Sequence, residues 1–326
     1  MKRHTMYLLK AVLAAGIASI GLSATAQTYP SQAITYIVPY NPAGSTDPIS
    51  RQFAAGLKNE LGVDVNIENK PGGSGTIGTT QMLRSKPDGY TISIGTNSIL
   101  AYQPLANPNL PFKTPDDYQP IVKLGDMPIT LIVRADAPWK TFEDFVDHVR
   151  KNPGRVRAAV SGMRTAPDLL GQEFNRIADV RITTVPFTGG SGEALVALLG
   201  GRVEATLFTG AAGMQSHIEA GKVRMLAVFK KGLYEGFPNA TPVVDAGYNA
   251  STGASFYVLA PKGLPKDVLD KLAAASLKVV SSPEYREFAR GAGLVVDPKG
   301  PEEVAAEIRK DTETFNAVLD YLKLQK

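Results

Sequence analysis

The sequence predicts an α/β protein built from two lobes. Apolar, β-rich runs alternate with helical patterns through residues 34–98, which indicates a mainly parallel sheet covered by helices on both faces. A strand, a short polar loop and a helix entry occur at 34–49 and again at 156–177, which favours one such unit in each lobe. Two apolar strands, 128–133 and 255–260, are each followed closely by proline, and we expect them to cross between the lobes.

The first strand–loop–helix unit is the most informative stretch. The run Ile34–Val38 predicts a buried strand, which two prolines and a glycine then interrupt. Asp47 and Pro48 predict an N-cap and a first helical residue, and apolar residues at every fourth position predict a helix that Gly62 ends. Unpaired N–H groups at such a helix start attract anions. Every strand-to-helix unit shares this geometry, so spacing alone leaves open whether the loop binds a ligand.

The rest of the chain continues the alternation of strands and helices. Thr141 predicts the N-cap of a helix that Asn152, Pro153 and Gly154 end. A second glycine-dense loop, 68–78, opens another helix. The pattern predicts strands at about 63–67, 90–94, 183–187, 203–208 and 223–229; it predicts helices ending near residues 84, 151, 177 and 199, and helices at about 214–220, 265–280, 283–290 and 301–323.

The N-terminus predicts export. Lys2 and Arg3 precede an apolar run at 11–22, and Ala24–Ala26 supplies small residues for cleavage, as in a secretory signal peptide at 1–26 that is removed after Ala26. The run is too short to span a bilayer, which needs about 20 apolar residues, and the absence of cysteine excludes a lipoprotein anchor. We therefore expect a periplasmic protein.

The composition argues against nucleic acid as a partner. The chain has 326 residues, 44% of them hydrophobic and 20% charged, enough for two domains. Its positive net charge comes mainly from the signal peptide, because basic and acidic residues are nearly equal in number after Ala26. No basic stripe remains that could follow a phosphate backbone.

The side chains of catalysis and metal binding are scarce. Past the signal peptide the sequence holds two histidines, His148 and His217, and no cysteine. Neither histidine has the sequence context of a Ser-His-Asp triad, and surface or capping roles suit both better than metal ligation. The glycines at 73, 75 and 78 follow the second strand rather than the first, and no Walker A lysine appears. We expect that the protein is not an enzyme and that it uses no cofactor and no metal. The function that its loops still favour is the capture of an anion by hydroxyl and N–H groups.

Several motifs resemble one family of receptors. Residues 29–47, 67–78 and 87–91 are similar to the opening of the Bug (TctC-like) solute receptors of tripartite tricarboxylate transporters, and 185–189, 198–203 and 220–227 are similar to the second half of these proteins. The resemblance implies a type II periplasmic binding protein fold, with a ligand carboxylate held between a first-lobe loop and a second-lobe loop, partly through water. It also implies delivery of a mono-, di- or tricarboxylate to integral membrane subunits of the transporter by a monomeric receptor.

The resemblance also implies lobes and a site. It divides the chain into lobe 1 (27–130 and 256–326) and lobe 2 (131–255), with hinges at about 128–135 and 253–260. The first-lobe loop is 40–47 and the second-lobe loop is 161–168. The expected ligand-binding residues are Tyr40, Ala43, Gly44, Ser45, Thr46, Asp47, Thr96, Asn97, Ser161, Gly162, Arg164, Thr165 and Thr209.

Some of these roles stay open. Family members commonly carry a histidine after the second-lobe glycines, whereas this chain has Arg164 and Asp168. Arg164 either makes a bidentate contact with a carboxylate or lies on the rim and pairs with Asp168. Packing or turn roles are equally compatible with 96–98 and 208–210, and Phe256 and Tyr257 either line the cleft or belong to the core. An exported hydrolase or isomerase that uses the same cleft, and a receptor that reports its ligand to a sensor protein, are the alternative functions.

Overall fold

The structure, a computed structural model, describes residues 29–42, 44–210, 214–235, 237–251 and 253–324. The predicted signal peptide lies outside these ranges. The fold below is that of the compact unit Gln32–Lys326. No helix within the described ranges is long and apolar enough to cross a membrane.

Three parallel strands begin the sheet. β1 (Ile34–Val38) pairs in parallel with β2 (Val65–Asn69) and β3 (Thr91–Thr96). β10 (Gly253–Pro261) then runs antiparallel between β3 and β4 (Tyr118–Arg134). The parallel arrangement predicted for the first part of the chain is therefore confirmed, and the late strand β10 adds the antiparallel pairing.

Strand β4 is much longer than the sequence predicted. The prediction began at residue 128, but β4 begins at Tyr118 and extends over 17 residues. Pro120 lies in the part of the strand that the prediction left out, and a proline weakens a strand signal because it cannot donate to a sheet ladder. A register shift between β4 and β10 lies beside Pro120, and β4 leaves β10 after Pro128 to pair with β7 and β8 from Ile129 onwards. The strand thus passes from one lobe to the other.

The remaining strands surround the second half of β4. β5 (Arg157–Val160) lies parallel to β6 (Thr183–Pro186) and β7 (Ala205–Thr209), and β7 pairs antiparallel with β4. β8 (Val223–Val228) pairs with β4 and with the short β9 (Thr241–Pro242), which the sequence did not predict. The main strand order is β2-β1-β3-β10-β4-β7-β5-β6.

Helices cover the strands. In chain order they are α1 (Thr46–Leu61), α2 (Thr76–Leu83), α3 (Gln103–Ala106), α4 (Phe142–Lys151), α5 (Ala166–Ala178), α6 (Ser191–Leu199), α7 (Gln215–Glu219), α8 (Lys266–Ser281), α9 (Pro283–Ala292) and α10 (Pro301–Leu324). A π-helical turn, Ser98–Tyr102, precedes α3. The predicted capping of α4 is confirmed: Thr141 and Asp144 form a capping box.

Apolar clusters lie on both faces of the sheet. Leu131 and Val133 of β4 belong to one buried cluster of the second lobe, and Ile132 belongs to another. Successive side chains of a strand point to opposite faces, so both faces of this part of the sheet are covered. A third cluster fills the first lobe and includes Leu169 of α5, which places the start of α5 against the first lobe.

Candidate functional site

The first-lobe loop leads from β1 into α1. The N-cap of α1 is Ser45, so the prediction that Asp47 caps this helix is wrong. The Ser45 hydroxyl does not cap the helix; it donates to the backbone oxygen of Thr209 at 2.5 Å, across the cleft. Asp47 lies in the first turn, where a carboxylate interacts favourably with the helix dipole.

The side chain of Asp47 has its partners outside the cleft. Its carboxylate accepts from Arg51 at 2.7 Å, one helical turn further on, and from the Asn69 amide at 2.9 Å. Asp47 does not line the cavity described below. The expected ligand role of Asp47 therefore has no support in this geometry.

The second-lobe loop is held by a carboxylate at the start of α5. Asp168 accepts from the backbone N–H of Arg164 at 2.7 Å and from the hydroxyl of Thr184 at 2.8 Å. Arg164 has a positive φ of 56°, a backbone conformation that favours glycine. The hydrogen bond from its N–H to Asp168 supports this turn, and Thr165 closes the loop by donating to the Gly162 oxygen at 2.9 Å.

The Arg164 side chain lies on the rim. It is exposed, and its guanidinium donates to the backbone oxygen of Ala106 at 2.8 Å. Of the two arrangements left open by the sequence, the rim position agrees with the structure, but the side-chain partner is a carbonyl of the first lobe and not the Asp168 carboxylate. Arg164 is absent from the cavity wall.

A third helix start meets the first-lobe loop. α6 begins at Ser191, directly after Gly189 and Gly190, and the Gly189 N–H donates to Glu193 at 2.9 Å. The Asn41 N–H donates to the Gly189 oxygen at 2.9 Å. A Cβ atom added at Gly44 would lie 2.9 Å from the nitrogen of Gly192, so this close approach requires a glycine at position 44.

Further hydrogen bonds cross the cleft near α3. The Ala166 N–H at the start of α5 donates to the Ser98 hydroxyl at 2.9 Å, and the Gln103 amide donates to the Met163 oxygen at 3.0 Å. With the bonds of Ser45, Asn41 and Arg164, these contacts come from both ends of the cleft. The structure therefore has the cleft closed.

A cavity remains between the closed loops. It contains about 320 Å³ of atom-free space, part of it open to solvent. It lies at the starts of α1, α5 and α6, where backbone N–H groups have no intrahelical partner. Among the described residues, every side chain that lines it is neutral: Tyr40, Ser45, Thr46, Thr96, Ser98, Ser161, Pro167, Ser191, Thr209, Ala254 and Phe256.

Burial keeps the tyrosines near the cleft neutral. Burial raises the pKa of Tyr40 to about 12, and its hydroxyl donates to the Ser74 oxygen at 3.2 Å. Burial, followed by the nearby Asp168 carboxylate, raises the pKa of Tyr102 to about 12. Neither phenol carries a charge at neutral pH, so both act as hydrogen-bonding groups.

The expected site residues divide into three groups. Six of them do not line the cavity: Gly44, Asp47, Asn97, Gly162, Arg164 and Thr165. The side chain of Asn97 accepts a hydrogen bond from the Ser98 N–H instead. Ala43 lies outside the described residues. Those that line the cavity are Tyr40, Ser45, Thr46, Thr96, Ser161 and Thr209.

Sequence reasoning missed part of the wall. Ser191, Pro167 and Ala254 line the cavity without having been selected, and Phe256 was left open between cleft and core. Ser191 carried a usable signal, because it stands in a Gly-Gly-Ser-Gly run between a strand and a helix, like the selected loops. Ala254 carried none, since an alanine in an apolar strand does not distinguish a cavity wall from the core.

Comparisons with known proteins agree with this geometry. Residues 49–317 match the family model of the tripartite tricarboxylate transporter family receptor. The protein BugT of Bordetella pertussis (strain Tohama I) is 32% identical over 80% of this chain and 81% of its own length. A UPF0065 protein of the same strain is 31% identical over 90% of each chain.

Solved structures have the same fold. The structure of a periplasmic transporter superposes with a TM-score of 0.85 at 33% identity, over 90% of this chain and 97% of its own. R. palustris Rpa4515 with adipate gives a TM-score of 0.84 at 26% identity, over 90% of this chain and 97% of its own. MatC from Rhodopseudomonas palustris with bound malate gives 0.80 at 26% identity, covering 89% and 99%. The expectation of a two-lobed periplasmic binding protein fold is confirmed.

Proposed function

This chain belongs to the tripartite tricarboxylate transporter receptor family, and from that premise we propose that it captures a small carboxylate in the cleft and delivers it to the membrane subunits of such a transporter. The observation that carries the proposal is the cavity, which lies between the starts of three helices and is lined by hydroxyl groups from both lobes. Relatives of the same fold that contain adipate and malate support a carboxylate as the ligand.

The cavity has the chemistry of an anion site without a fixed cation. Helix starts offer unpaired N–H donors and roughly half a positive charge each. The hydroxyls of Thr46 and Thr209 face the cavity, are 8% and 6% exposed by residue, and make no hydrogen bond within the described part of the chain. A carboxylate provides the acceptors that these donors lack.

The remaining parts of the proposal follow from the sequence and the family. The receptor is exported to the periplasm, with the leader removed after Ala26, and acts as a monomer. Its lobes comprise 27–130 with 256–326, and 131–255. Ligand-driven closure occurs by hinge motion at about 128–135 and 253–260, where β4 leaves β10 for β7 and β8.

Calorimetry against mono-, di- and tricarboxylates tests the assignment on the exported protein. We expect at least one carboxylate to bind with 1:1 stoichiometry and to raise the melting temperature, because a ligand that binds only the folded state stabilises it. Binding of uncharged solutes alone would contradict the proposal. Conversion of the bound carboxylate into another compound would instead support an enzyme.

The variant Thr46→Ala tests the site itself. Removing this hydroxyl costs one hydrogen bond to a charged group, so we expect affinity to fall by about 1.5–3 kcal/mol without loss of folding. Thr46→Ser restores the hydroxyl and most of the affinity. Ser216→Ala, at an exposed position of α7, is the matched control and leaves binding unchanged. Equal affinity in Thr46→Ala and the control would show that this loop does not bind the ligand.

A further inference from the structure

The hydroxyl of Ser98 connects the cavity wall of the first lobe to a helix of the second. Ser98 lines the cavity, is only 5% exposed, and accepts a hydrogen bond at 2.9 Å from the N–H of Ala166, the first residue of α5. Resting on the proposed function, we propose that Ser98 couples ligand binding to closure of the cleft. In the closed cleft its hydroxyl accepts from Ala166 and donates its own hydrogen to the ligand carboxylate.

Helix α5 has no side-chain cap of its own. Its N-cap residue is Thr165, whose hydroxyl donates to the Gly162 oxygen at 2.9 Å and makes no capping bond. Pro167, the second residue of the helix, has no N–H to offer. The N–H of Ala166 has no partner within the helix, and Ser98 provides the acceptor from the other lobe. This bond requires the two lobes to be in contact, so closure itself caps α5.

The backbone around Ser98 is held within the first lobe. Strand β3 ends at Thr96, and the π-helical turn begins at Ser98. The Asn97 side chain accepts from the Ser98 N–H at 2.9 Å, and the Thr96 hydroxyl accepts from the Ile99 N–H at 3.3 Å. Because these partners all belong to one short segment, the Ser98 hydroxyl is in position before the second lobe reaches it.

The hydrogen of the Ser98 hydroxyl is available to a ligand. A serine hydroxyl donates one hydrogen and accepts through its lone pairs. The bond from Ala166 occupies a lone pair of Ser98, and no described residue accepts the hydrogen. The hydroxyl of Ser45, on the same cavity, differs because it already donates to the Thr209 oxygen. A carboxylate in the cavity provides the acceptor that the Ser98 hydrogen lacks.

Closure makes Ser98 a stronger donor. An N–H group bound to a hydroxyl oxygen polarises the hydroxyl and strengthens the hydrogen bond that it donates. Hydrogen bonds to a charged acceptor are about twice as strong as those between neutral groups, and the start of α5 adds positive partial charge. In the open cleft Ser98 lacks the bond from Ala166 and interacts less strongly with the ligand. A ligand that interacts more strongly with one state shifts the protein towards that state.

The variant Ser98→Ala tests the ligand contact. The probes are benzoate, malate, adipate and citrate, and stopped flow follows the one that the wild type binds most tightly. We expect affinity to fall at least about tenfold. The loss should appear as faster release, because association begins in the open cleft, where the bond from Ala166 is not yet formed. Ser93→Ala removes a buried hydroxyl of β3 that donates to the Ile37 oxygen; it is the control and should leave binding unchanged.

The variant Ala166→Pro tests the bond between the lobes. Ala166 does not line the cavity, and the first position of a helix accommodates proline well. The substitution removes the N–H, and the proline ring takes the place of its hydrogen. We expect affinity to fall at least about fivefold, again through faster release. The double variant should bind about as tightly as Ser98→Ala alone, because both changes remove the same hydrogen bond between the lobes.

The outcomes separate this inference from the proposed function. Losses that multiply in the double variant, slower association in place of faster release, an equal loss in Ser93→Ala, or full affinity in Ser98→Ala would each overturn the coupling and leave the carboxylate receptor standing. The melting temperature shows whether Ala166→Pro folds; if it folds and keeps full affinity, the coupling is also overturned. Absence of binding by the wild type with all four probes would overturn the receptor assignment, and this inference with it.

Discussion

The two faces of strand β10 differ in the charge of the side chains around them. Phe256 lines the neutral cavity, whereas the neighbouring Tyr257 donates to Glu307 at 3.0 Å in a cluster of ionic side chains. In that cluster Lys123, only 3% exposed, lies 2.6 Å from Glu307 and 2.8 Å from Asp126. We call this group the ionic cluster; it comprises Lys123, Asp126, Tyr257, Asp297, Lys299, Glu307 and Asp311.

The difference between the two faces follows from where the partner of each charge comes from. In the ionic cluster both partners of each ion pair belong to the chain, so the two lysines are compensated as soon as the protein folds. In the cavity the charge arrives with the ligand, and a permanent cation there would lack a partner whenever the site is empty. Hydroxyl and N–H donors avoid this cost because they are dipoles and not net charges.

The largest expected effect comes from breaking the ionic cluster. Lys123→Ala leaves Glu307 and Asp126 without their buried cation, and we expect a loss of about 3–5 kcal/mol in the free energy of unfolding. Urea denaturation measures it. Lys266→Ala, which removes an exposed pair with Asp270, is the control and should cost no more than about 1 kcal/mol. Equal losses in the two variants would mean that the cluster does not depend on its buried lysine.

A smaller effect, on ligand affinity, is expected when the first-lobe loop is prevented from approaching the start of α6 beside the cavity. Gly44→Ala adds a Cβ atom that would lie 2.9 Å from the Gly192 nitrogen. We expect ligand affinity to fall about tenfold or more, equivalent to at least about 1.4 kcal/mol, because the loops can no longer close fully. Gly291→Ala in α9, with space for the added atom, serves as the control. Full affinity in Gly44→Ala would show that closure tolerates a wider gap.

The rim contact of Arg164 predicts a more modest change. Arg164→Ala removes one exposed hydrogen bond across the cleft, to Ala106, and we expect affinity to fall by about 1 kcal/mol. The loss should be equal for all ligands and should appear as faster release, measured by stopped flow. Arg150→Ala, which removes a similar bond to the Ala178 oxygen within one lobe, should leave binding unchanged. A loss that depends on the ligand would place Arg164 in the site.

The smallest effect concerns pH. Burial and then the charge of Glu307 raise the pKa of Asp311 to about 6. Proton binding by Asp311 therefore favours the folded state below about pH 4, and this contribution is lost as the pH rises through about 6. Asp311→Asn cannot ionise, so we expect it to be about 1 kcal/mol more stable than the wild type at about pH 7.5 and to lose that advantage at about pH 4.

Thermal or urea unfolding at the two pH values checks this prediction. Glu313→Gln, at an exposed position of the same helix, is the control and should show little dependence on pH. A constant difference between Asp311→Asn and the wild type across this range would mean that Asp311 does not titrate as its surroundings require.

Most elements of the fold were predictable because local patterns specify them. The stripe of Ile49, Phe53 and Leu57 predicted α1, and all three side chains are buried. The errors arose where tertiary pairing overrides a local signal. Pro120 is a local signal against a strand, yet pairing with β10 includes it in β4. Asp47 had the chemistry of an N-cap, but Arg51 and Asn69 provide the partners that place it in the first turn.

The sequence by itself determined the alternation of strands and helices, the hydroxyl and glycine residues at helix starts, and the motifs of the family, because each depends on neighbours within a few turns of chain. Only the tertiary structure decided that Ser191 joins the wall with Ser45 and that Arg164 points to the rim. Such outcomes depend on contacts between residues far apart in sequence and, at Arg164, on a backbone angle of +56°. Local patterns do not encode either of these.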